Sequence, residues 1–531
     1  MYKIIKIFFL FTLLPLSMAA QVTPGENSLL NYRIVGFSFP AMKQMVNYKV
    51  EIAQGEYNNE QVFSRNISIT VADKKNRIIA EVPSFGSSYT WRVIYTDRQS
   101  KTTTGELHHF STAIIPEVNP DSFRLRIMTS AKAHESDYVF LDGNRTLYDM
   151  NGNPVWFFPN IENAKHEPMH ARDLKVSPFG TVTAMGGEEL YEVNYNGDVL
   201  WHGPTDTLKD ADKLAQSKKN HRNALVDRDS VSLSYNHHHQ FDRLPNGHYM
   251  AMTYELCDWL LPHPVDSGIF AAFRNKLKRD ENGNYYQSIQ FASLIEYDKA
   301  GKIVWEWKGS DYFKHSDLYQ RMAAKQIFVL DNTHSNAFYF DDKNKTIYLS
   351  FRDLNRIVKI KYPTKKVLNT YGKLFAPGAG EHLYNGVFCG QHSCRLSKDG
   401  YLYMYNNNIC NQPSHPTVIM FKEPKTPGGD LEKVWEYECP MDELSQQEQK
   451  KILFNAGGDV YELPDRDMFI CMGSAYGKVL IVNRDKQVLW CAQPEKWSKF
   501  KKIWIDDPEY RASIMSRKDL ESLIWGQPLK K

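Results

Sequence analysis

Three short segments of the chain place histidine beside other polar residues. They span 236–239 (Asn-His-His-His), 333–336 (Thr-His-Ser-Asn) and 390–392 (Gly-Gln-His). His239 lies eight residues before Gly247, and His392 lies eight residues before Gly400, which indicates equivalent positions in two related units. A neutral imidazole can act as a nucleophile, exchange protons near neutral pH or ligate a metal ion.

Two kinds of site are open to these histidines. His237 and His239, with two further histidines, have the donor set of a zinc or copper site. Metal ligands are usually supported by carboxylates or imidazoles, whereas the other polar candidates are the amides of Asn336 and Gln391 and the guanidinium of Arg352. Because a fixed positive charge disfavours a divalent cation, the sequence favours an oxyanion site with neither metal nor cofactor.

A repeat defines the elements that would position these residues. A short strand, a tight Asn-Gly type of turn and a second strand ending in tryptophan recur along the chain. Clear copies end at Trp156, Trp201, Trp305 and Trp490, and degenerate copies span 357–367 and 418–435. Each copy pairs with a preceding hairpin, and four strands per unit are typical of a propeller blade, with tryptophan packing one blade on the next. The six copies predict a six-bladed β-propeller.

In a propeller the first strand of each blade lines the central channel, so histidines from different blades converge on one axis. Strand alternation predicts that His237 and His239 share one face and that His238 lies on the other. Which of the three faces the channel is left open. A lone channel histidine is usually structural, but three at matched positions favour function.

The regions that flank the propeller have patterns of their own. Residues 1–20 combine two lysines, an apolar run and small residues, which is typical of a cleaved secretory signal. Residues 21–118 predict a fibronectin-like β-sandwich, 119–500 the propeller and 501–531 a helical extension. Insertions at 206–229 and 311–325 also have helical composition. We therefore expect an all-β protein that is exported to the periplasm or secreted.

Charge and cysteine content limit the partners and the redox chemistry. The formal net charge is +3 and no block of basic residues occurs, so a nucleic-acid partner has no electrostatic support. No apolar stretch outside the first twenty residues is long enough to span a membrane. Seven cysteines in an exported chain predict at least one disulfide, with Cys389–Cys394 as the first candidate and Cys410 and Cys439 as competitors. A homo-oligomer is left open.

Five motifs together resemble one enzyme family. They are the His-His pair followed by Leu-Pro-Asn-Gly at 238–247, His-Ser-Asn at 334–336, Ser-Phe-Arg at 350–352, Gln-His at 391–392 and Glu-Tyr-Arg-Ala-Ser at 509–513. In this order they are similar to the bacterial aryl sulfotransferases, which use no nucleotide sulfate donor. The resemblance extends over nearly the whole mature chain.

The resemblance implies a role for each of these residues. His392 would be the nucleophile that becomes transiently sulfurylated, assisted by His334, His238 and His239, while Arg352, Asn336 and Gln391 would bind the substrate. A sulfuryl group would then pass from a phenolic sulfate ester to a phenolic acceptor in two steps, which implies ping-pong kinetics. This chemistry suits the residue types, because imidazole is nucleophilic when neutral and guanidinium binds oxyanions.

The chain also departs from the family pattern. Gln240 follows the histidine pair where family members often have an acidic residue, and 455–458 (Asn-Ala-Gly-Gly) replaces a hydroxyl residue that is sometimes placed in the last blade. Apolar walls for a phenyl ring are expected from the aromatic residues Tyr254, Trp259, Phe338, Tyr384 and Tyr405.

Two other functions compete with this hypothesis. A non-catalytic propeller that binds a protein or glycan would tolerate replacement of the channel histidines. A metal- or quinone-dependent propeller oxidoreductase would retain a metal or a coloured cofactor on purification.

Overall fold

The turn-rich, alternating segments of the sequence fold almost entirely into β-strands. The computed structural model describes residues 22–114, 122–130, 132–159, 161, 171–204, 233–260, 278–313, 317, 319–321, 327–329, 332–372, 387–409, 415–441, 456–473 and 477–529. The predicted signal segment, the 206–229 insertion and Cys410 lie outside these residues. The chain divides into two compact units, 1–114 and 115–531.

In the described part of the first unit, residues 22–114, there are eight strands and one short helix. They are β1 (Ser28–Leu30), β2 (Ile34–Ser38), β3 (Met45–Gln54), α1 (Glu60–Asn66), β4 (Ile69–Asp73), β5 (Arg77–Glu81), β6 (Ser88–Asp97), β7 (Thr102–Thr104) and β8 (His108–Thr112). One sheet has the order β1-β8-β6-β3-β4 with β7 on β6, and β2 pairs with β5 in a second. Phe37 of β2 and Trp91 of β6 pack edge to face at 4.8 Å, so apolar residues of both sheets share one core.

The second unit contains the remaining elements. Its strands up to residue 260 are β9 (Phe123–Thr129), β10 (Tyr138–Leu141), β11 (Thr146–Asp149), β12 (Pro154–Phe157), β13 (Ala171–Val176), β14 (Val182–Gly186), β15 (Glu189–Val193), β16 (Val199–His202), β17 (Leu233–Arg243) and β18 (Tyr249–Leu260). Those from 278 to 371 are β19 (Lys278–Arg279), β20 (Tyr285–Tyr297), β21 (Ile303–Lys308), β22 (Tyr319–Arg321), β23 (Ile327–Val329), β24 (Ser335–Asp341), β25 (Thr346–Phe351), β26 (Arg356–Lys361) and β27 (Val367–Tyr371). The later strands are β28 (His392–Leu396), β29 (Leu402–Asn406), β30 (Thr417–Lys422), β31 (Glu432–Glu438), β32 (Asp459–Glu462), β33 (Met468–Cys471), β34 (Val479–Val482), β35 (Val488–Ser498), β36 (Ile503–Asp506) and β37 (Ala512–Met515). The helices in the described residues of this unit are a 3-10 turn (Lys132–His134), α2 (Gly309–Tyr312) and α3 (Arg517–Ile524).

Antiparallel sheets of four or more strands follow one another along this unit. Within the described residues there are six, which we name blade 1 (β10–β12 with β37), blade 2 (β13–β16), blade 3 (β17–β21), blade 4 (β24–β27), blade 5 (β28–β31) and blade 6 (β32–β36 with β9). Apart from β37 in blade 1 and β9 in blade 6, neighbouring strands in the blades are close in sequence, as hairpin connections require.

Tryptophans on the fourth strands join successive blades, as the repeat predicts. The indole Nε1 of Trp156 donates to the Tyr195 carbonyl at 2.8 Å, and that of Trp490 donates to the Met150 carbonyl at 3.0 Å. Equivalent bonds join Trp201 to Lys299, Trp305 to Pro363 and Trp435 to Arg484. Each acceptor lies in the turn between the third and fourth strands of the next blade, so the large ring packs and its polar edge is satisfied in the same contact.

Blade 4 lacks this tryptophan and uses polar groups in its place. The Tyr371 hydroxyl at the end of β27 donates to the Glu423 carboxylate, which follows the third strand of blade 5. Lys359 Nζ approaches the same carboxylate at 3.0 Å. The contacts therefore run from each blade to the next and return from blade 6 to blade 1. The prediction of an all-β propeller is confirmed.

The end of the chain differs from the prediction of a helical extension. Ala512–Met515 forms β37, which pairs with β10 as the innermost strand of blade 1, and the helix is confined to α3. This segment forms a strand rather than a helix because it completes a blade that otherwise has three strands. The 311–325 segment likewise contains strand β22, paired with β23, after the end of α2.

The predicted Cys389–Cys394 disulfide is wrong. Cys394 is a free thiol in the apolar core shared by blades 4 and 5, packed with Tyr348 and Leu402. Burial raises the pKa of this thiol to about 12, which keeps it protonated and unreactive. Cys439 is also free and buried.

The indole bond between blades 6 and 1 provides a test of ring closure. Trp490→Phe keeps an apolar plate but removes the donor to Met150, so we expect the free energy of unfolding to fall by roughly 1–3 kcal/mol. Trp490→Ala also leaves a cavity and is expected to cost roughly 3–5 kcal/mol. Urea unfolding measures both. The matched variant Trp497→Phe, on the surface, should change stability by less than about 0.5 kcal/mol, and equal effects at the two positions would contradict this role.

Candidate active site

The innermost strands carry backbone irregularities that aim their side chains. Residues in the left-handed region occur in or beside these strands at Asp173 (φ 56°), His239 (φ 62°), His334 (φ 45°), Ser393 (φ 50°) and Gly458 (φ 103°). The registers of β13, β17, β24 and β28 shift near the first four. A bulge rotates the side chains that follow it, so simple alternation does not hold here.

The histidine triplet shows this effect. His237 is buried and bonds the Glu188 carbonyl at 2.8 Å and the Tyr297 hydroxyl at 2.9 Å. The Nδ1 atoms of His238 and His239 lie 2.7 Å apart, so these two neighbours approach each other. The prediction that His237 and His239 share a face is therefore wrong, because the bulge at His239 breaks the period of two. His237 is a structural residue, and the His237-x-His239 metal pair does not form.

His239 is the member of the triplet that approaches the other predicted residues. Its ring centroid lies 5.6 Å from that of His334 and 6.1 Å from that of Tyr510. His238 stacks on Tyr254 at 3.7 Å with an interplanar angle of 12°. In the hydrogen bond between His238 and His239, one Nδ1 carries the hydrogen and donates, and the other Nδ1 accepts.

His392 is almost fully buried and held in a defined tautomer. Its Nδ1 lies 2.5 Å from Asn407 Oδ1 and 3.2 Å from the Gly390 carbonyl oxygen. Both neighbours are acceptors, so Nδ1 carries the proton and Nε2 has the lone pair. Accordingly, the Gly457 N–H donates to Nε2 at 3.2 Å.

Glycine is required on the far side of this imidazole. Gly457 has φ 79°, and a Cβ there would lie 2.5 Å from the Tyr510 carbonyl oxygen. Asn407 Nδ2 donates to the Gly457 carbonyl at 3.0 Å, so one amide fixes both His392 and the glycine. In the segment where the family often carries a hydroxyl, this chain therefore presents a backbone N–H.

His334 belongs to a second hydrogen-bonded group with Arg352. His334 Nδ1 lies 2.9 Å from Asp353 Oδ2, and Arg352 Nη1 lies 2.6 Å from Asp353 Oδ1. The Arg352 N–H also donates to the His334 carbonyl at 2.9 Å. Burial would raise the pKa of Asp353, but His334 and Arg352 outweigh it and the pKa is lowered. The carboxylate stays ionised and orients both side chains.

Tyr510 lies between the histidines of different blades. Its ring centroid is 6.1 Å from that of His392, the same as its distance from His239. The Arg172 guanidinium lies over the Tyr510 ring at 5.7 Å. One region of the channel therefore brings together His239, His334, His392 and Tyr510. The charged side chains of Arg172 and Arg352 lie beside it.

A buried arginine ties these strands together. Arg511 Nη1 lies 3.0 Å from Asp173 Oδ1, and its Nη2 donates to the Asn336 carbonyl. Asn336 Nδ2 in turn donates to the Gln391 carbonyl at 2.7 Å, next to His392. Arginine stays charged when it is buried, so each partner of this ion pair, Arg511 and Asp173, neutralises the charge of the other.

The structure gives Gln391 and Gln240 positions between strands. Gln391 is fully buried, and its Nε2 donates to the Ser350 hydroxyl and to backbone carbonyls of blade 4. This geometry favours a positioning role for Gln391, holding the strand of His392. Gln240 exchanges hydrogen bonds with the backbone of Phe338, at 2.7 and 3.0 Å, rather than orienting an imidazole.

The predicted aromatic walls are only partly brought together. Tyr254 borders the site through His238. Phe338 lies in the core between blades 3 and 4, and Tyr405 lies in the core between blades 5 and 6 with its hydroxyl on the Met472 carbonyl. Tyr384 and the side chain of Trp259 lie outside the described parts of the chain.

Burial and nearby charged or polar groups keep His238, His239 and His392 neutral. Burial, followed by the charge of Arg352, lowers the pKa of His392 to about 3. Burial also lowers the pKa of His238 to about 3, and burial with His238 holds that of His239 well below its usual value. At neutral pH these rings are therefore uncharged, as a nitrogen nucleophile requires.

The model of the arylsulfotransferase (ASST) family matches residues 264–426. This segment contains His334, Asn336, Arg352, Gln391 and His392. The resemblance to the arylsulfotransferase family is confirmed. It supports a sulfotransferase that acts on small phenolic molecules as the general function of the chain. Within the described residues, none of the helices is long and apolar enough to cross a membrane.

Other comparisons add little to the arylsulfotransferase assignment. No curated protein matches the chain. A putative 6-phosphogluconolactonase from Bacteroides fragilis is 13% identical, with 90% of this chain and 100% of that one covered at a TM-score of 0.29. A periplasmic gluconolactonase from Pseudomonas aeruginosa is 11% identical, with 88% and 99% covered at 0.28. These TM-scores are too low to carry an argument about fold or function.

The sequence alone did not identify several residues of this candidate site. They are Asn407, Asp353, Tyr510, Arg511 and Arg172. Tyr510 and Arg511 belong to the 509–513 motif, and Asp353 directly follows Arg352, so their sequence context already marked them. Asn407 lies in a run of three asparagines after β29, and Arg172 has no motif around it.

The buried histidines make stability depend on pH. Burial lowers the pKa of His237 to about 4, below the value of about 6.5 in an unfolded chain. The unfolded state therefore binds more protons as pH falls below 6.5, and stability is lost on acidification. His237→Gln removes one such group. We expect its stability deficit relative to the wild type, measured by urea unfolding at pH 8, to shrink by about 2 kcal/mol at pH 5. An unchanged deficit would contradict the low pKa.

Proposed function

We propose that this protein is an aryl sulfotransferase that moves a sulfuryl group from a phenolic sulfate ester to a phenolic acceptor through a sulfurylated His392. The observation that carries the proposal is the environment of His392. It is a neutral imidazole with a protonated Nδ1, an available Nε2 lone pair and a nearby fixed positive charge, in a segment that matches the arylsulfotransferase family. No nucleotide donor, metal or cofactor enters the mechanism.

In the first step Nε2 of His392 attacks the ester sulfur. The bond from Nε2 to sulfur forms, the bond from sulfur to the aryl oxygen breaks, and the aryl oxygen departs with the electron pair. The sulfurylated ring keeps its Nδ1 proton, and its positive charge balances the charge of the sulfuryl group. Asn407 Oδ1, already 2.5 Å from Nδ1, accepts a stronger hydrogen bond from the charged ring than from the neutral one.

Proton transfer to the leaving oxygen is assigned to His334, with His239 beside it. Asp353 Oδ2, 2.9 Å from Nδ1, fixes the orientation of the His334 ring for this transfer. The same ring accepts the proton of the incoming phenol in the second step. Attack of that phenol oxygen on sulfur then returns the electron pair to Nε2.

The sulfuryl oxygens are assigned to donors around His392. Arg352 provides a charged guanidinium, and the Gly457 N–H that now faces Nε2 is free to turn to a sulfuryl oxygen once Nε2 is used for bonding. Asn336 donates one N–H to Gln391, and its second N–H is assigned to the substrate. His238 supports His239 from behind, and we propose that the chain acts in the periplasm or outside the cell.

Replacement of His392 tests the nucleophile. With an aryl sulfate that releases a coloured phenol and a second phenol as acceptor, we expect His392→Ala to lower kcat by on the order of 1,000-fold or more. Wild-type protein mixed with donor alone should gain the mass of one sulfuryl group on His392, seen by mass spectrometry of intact protein and peptides.

A matched histidine variant controls for general damage. His109→Gln, in the first unit, should retain full activity and the same mass gain. Full activity in His392→Ala would overturn the assignment. Phenol release without acceptor in the wild type would indicate hydrolysis rather than transfer.

Replacement of Asn407 tests how the tautomer is held. Asn407→Ala removes the acceptor on Nδ1, and we expect a loss of about a hundredfold in kcat from misorientation. Asn407→Asp keeps an acceptor but adds a negative charge, which raises the pKa of the imidazole. The acidic limb of its pH–rate profile should therefore move to higher pH, with activity recovered above that limb. Identical profiles for Asn407→Asp and the wild type would contradict the role.

A further inference from the structure

A β-hairpin of the second unit extends beyond the rest of its sheet. We name it the Trp497 hairpin and define it as residues 496–504, where the end of β35 pairs with the start of β36. Strand β9 pairs with β35 only as far as Lys496. The Trp497 N–H still donates to the Ser122 carbonyl at 2.8 Å, and beyond it Ser498 pairs with Ile503 alone, so the tip is a two-stranded ribbon.

Large apolar side chains lie on this tip in contact with solvent. Phe500 is 95% exposed, and Ile503 is 51% exposed. Trp497 is 37% exposed and packs edge to face on Trp504 at 5.6 Å. Turns of this kind usually carry Gly, Asn, Asp or Ser, and an exposed Phe in the turn contributes nothing to folding. A cluster of this kind indicates a binding surface.

Lysines surround the exposed Phe500. Lys499, Lys501 and Lys502 are exposed and make no ion pair with a described residue. The turn itself is ordered by hydrogen bonds from the Lys502 and Lys501 N–H groups to Ser498, at 2.7 and 3.2 Å. The tip therefore presents one exposed aromatic ring surrounded by three lysine side chains that make no ion pair with a described residue.

This combination fits one kind of partner. Aromatic rings and lysines occur together at membrane interfaces, where the ring enters the headgroup region and the lysine stems extend their charges towards the lipid phosphates. A stable protein partner needs a face of about 800 Å² on each side, which a convex turn of four residues does not offer. We propose that the Trp497 hairpin docks the protein reversibly on an anionic lipid surface, with Phe500 inserted.

Vesicle binding tests the proposal with the full chain. Vesicles of phosphatidylcholine with about one-third phosphatidylglycerol should sediment the wild-type protein at roughly 0.1 M salt, and much less of it at 1 M salt. Vesicles of phosphatidylcholine alone should bind weakly. Phe500→Ser should lower the partition coefficient roughly tenfold, and Lys501→Ser with Lys502→Ser should lower it roughly twentyfold.

Matched variants elsewhere separate the hairpin from general surface effects. Leu29→Ser replaces another exposed apolar residue, and Lys74→Ser with Lys75→Ser removes two exposed lysines from a turn of the first unit. Both should bind like the wild type. All these sites are exposed, so unchanged thermal unfolding verifies that each variant folds.

Three results would overturn the proposal. They are no binding to anionic vesicles at low salt, equal binding by Phe500→Ser, and a wild-type dimer in light scattering that ignores vesicles and dissociates in Phe500→Ser. The last result would identify a second copy of this chain as the partner. Sulfotransferase activity in solution is expected to be the same in Phe500→Ser and the wild type, so the test is independent of the proposed function.

Discussion

The second unit depends on one kind of contact, which recurs between successive blades around the ring. An indole on the fourth strand of a blade covers the neighbouring sheet and donates its N–H to a carbonyl in the next blade, as Trp156, Trp201 and Trp490 do. The carbonyl lies in a turn, where the ladder leaves it unpaired, so the bond satisfies two groups that burial would otherwise penalise. Where blade 4 lacks the tryptophan, Tyr371 and Lys359 direct polar groups to Glu423, and the ring continues at the same position. The inner strands can deviate from regular geometry because this outer ring fixes the blades.

These deviations of the inner strands bring the histidines of the site together. A regular strand turns successive side chains to opposite sheet faces, but the left-handed residues at His239 and Ser393 interrupt the ladder beside the channel. His238 and His239 thereby contact each other, and His392 reaches both Asn407 and Gly457. The strain of a non-glycine residue with positive φ is of order 1–3 kcal/mol, and the contacts of the surrounding blades offset it.

The sequence predicts the architecture better than it predicts contacts. Spaced tryptophans and turn residues indicate blades because each is a local pattern with a period, and the matched spacing of His239 and His392 identifies two inner strands correctly. The faces of His237–His239 were mispredicted because a bulge changes the period without a glycine or proline to mark it. Tyr510 was not assigned because its contact with His392 depends on how blades 5 and 1 meet, and Asn407 was not assigned because nothing in the run Asn406–Asn408 marks which amide contacts His392 in the same blade. The C-terminal 512–515 strand was predicted as helix because its partner, β10, lies more than 370 residues away in the chain.

The electrostatics of the site connect substrate binding to proton transfer. Burial and the charges of Arg352 and Arg511 lower the pKa of His392 to about 3, and burial with His238 holds the pKa of His239 well below its usual value. On the proposed function, a sulfate ester brings negative charge into this region and offsets the arginines, which favours the protonated form of a neighbouring imidazole. His392 is separated from this effect, because its Nδ1 proton is already committed to Asn407 and its Nε2 is occupied by sulfur during transfer. On the proposed function the proton is therefore exchanged by His334, whose Nδ1 faces Asp353, and not by the nucleophile. On this proposal the buried, neutral His392 acts as the nucleophile, while Asp353 positions His334 for the proton transfer.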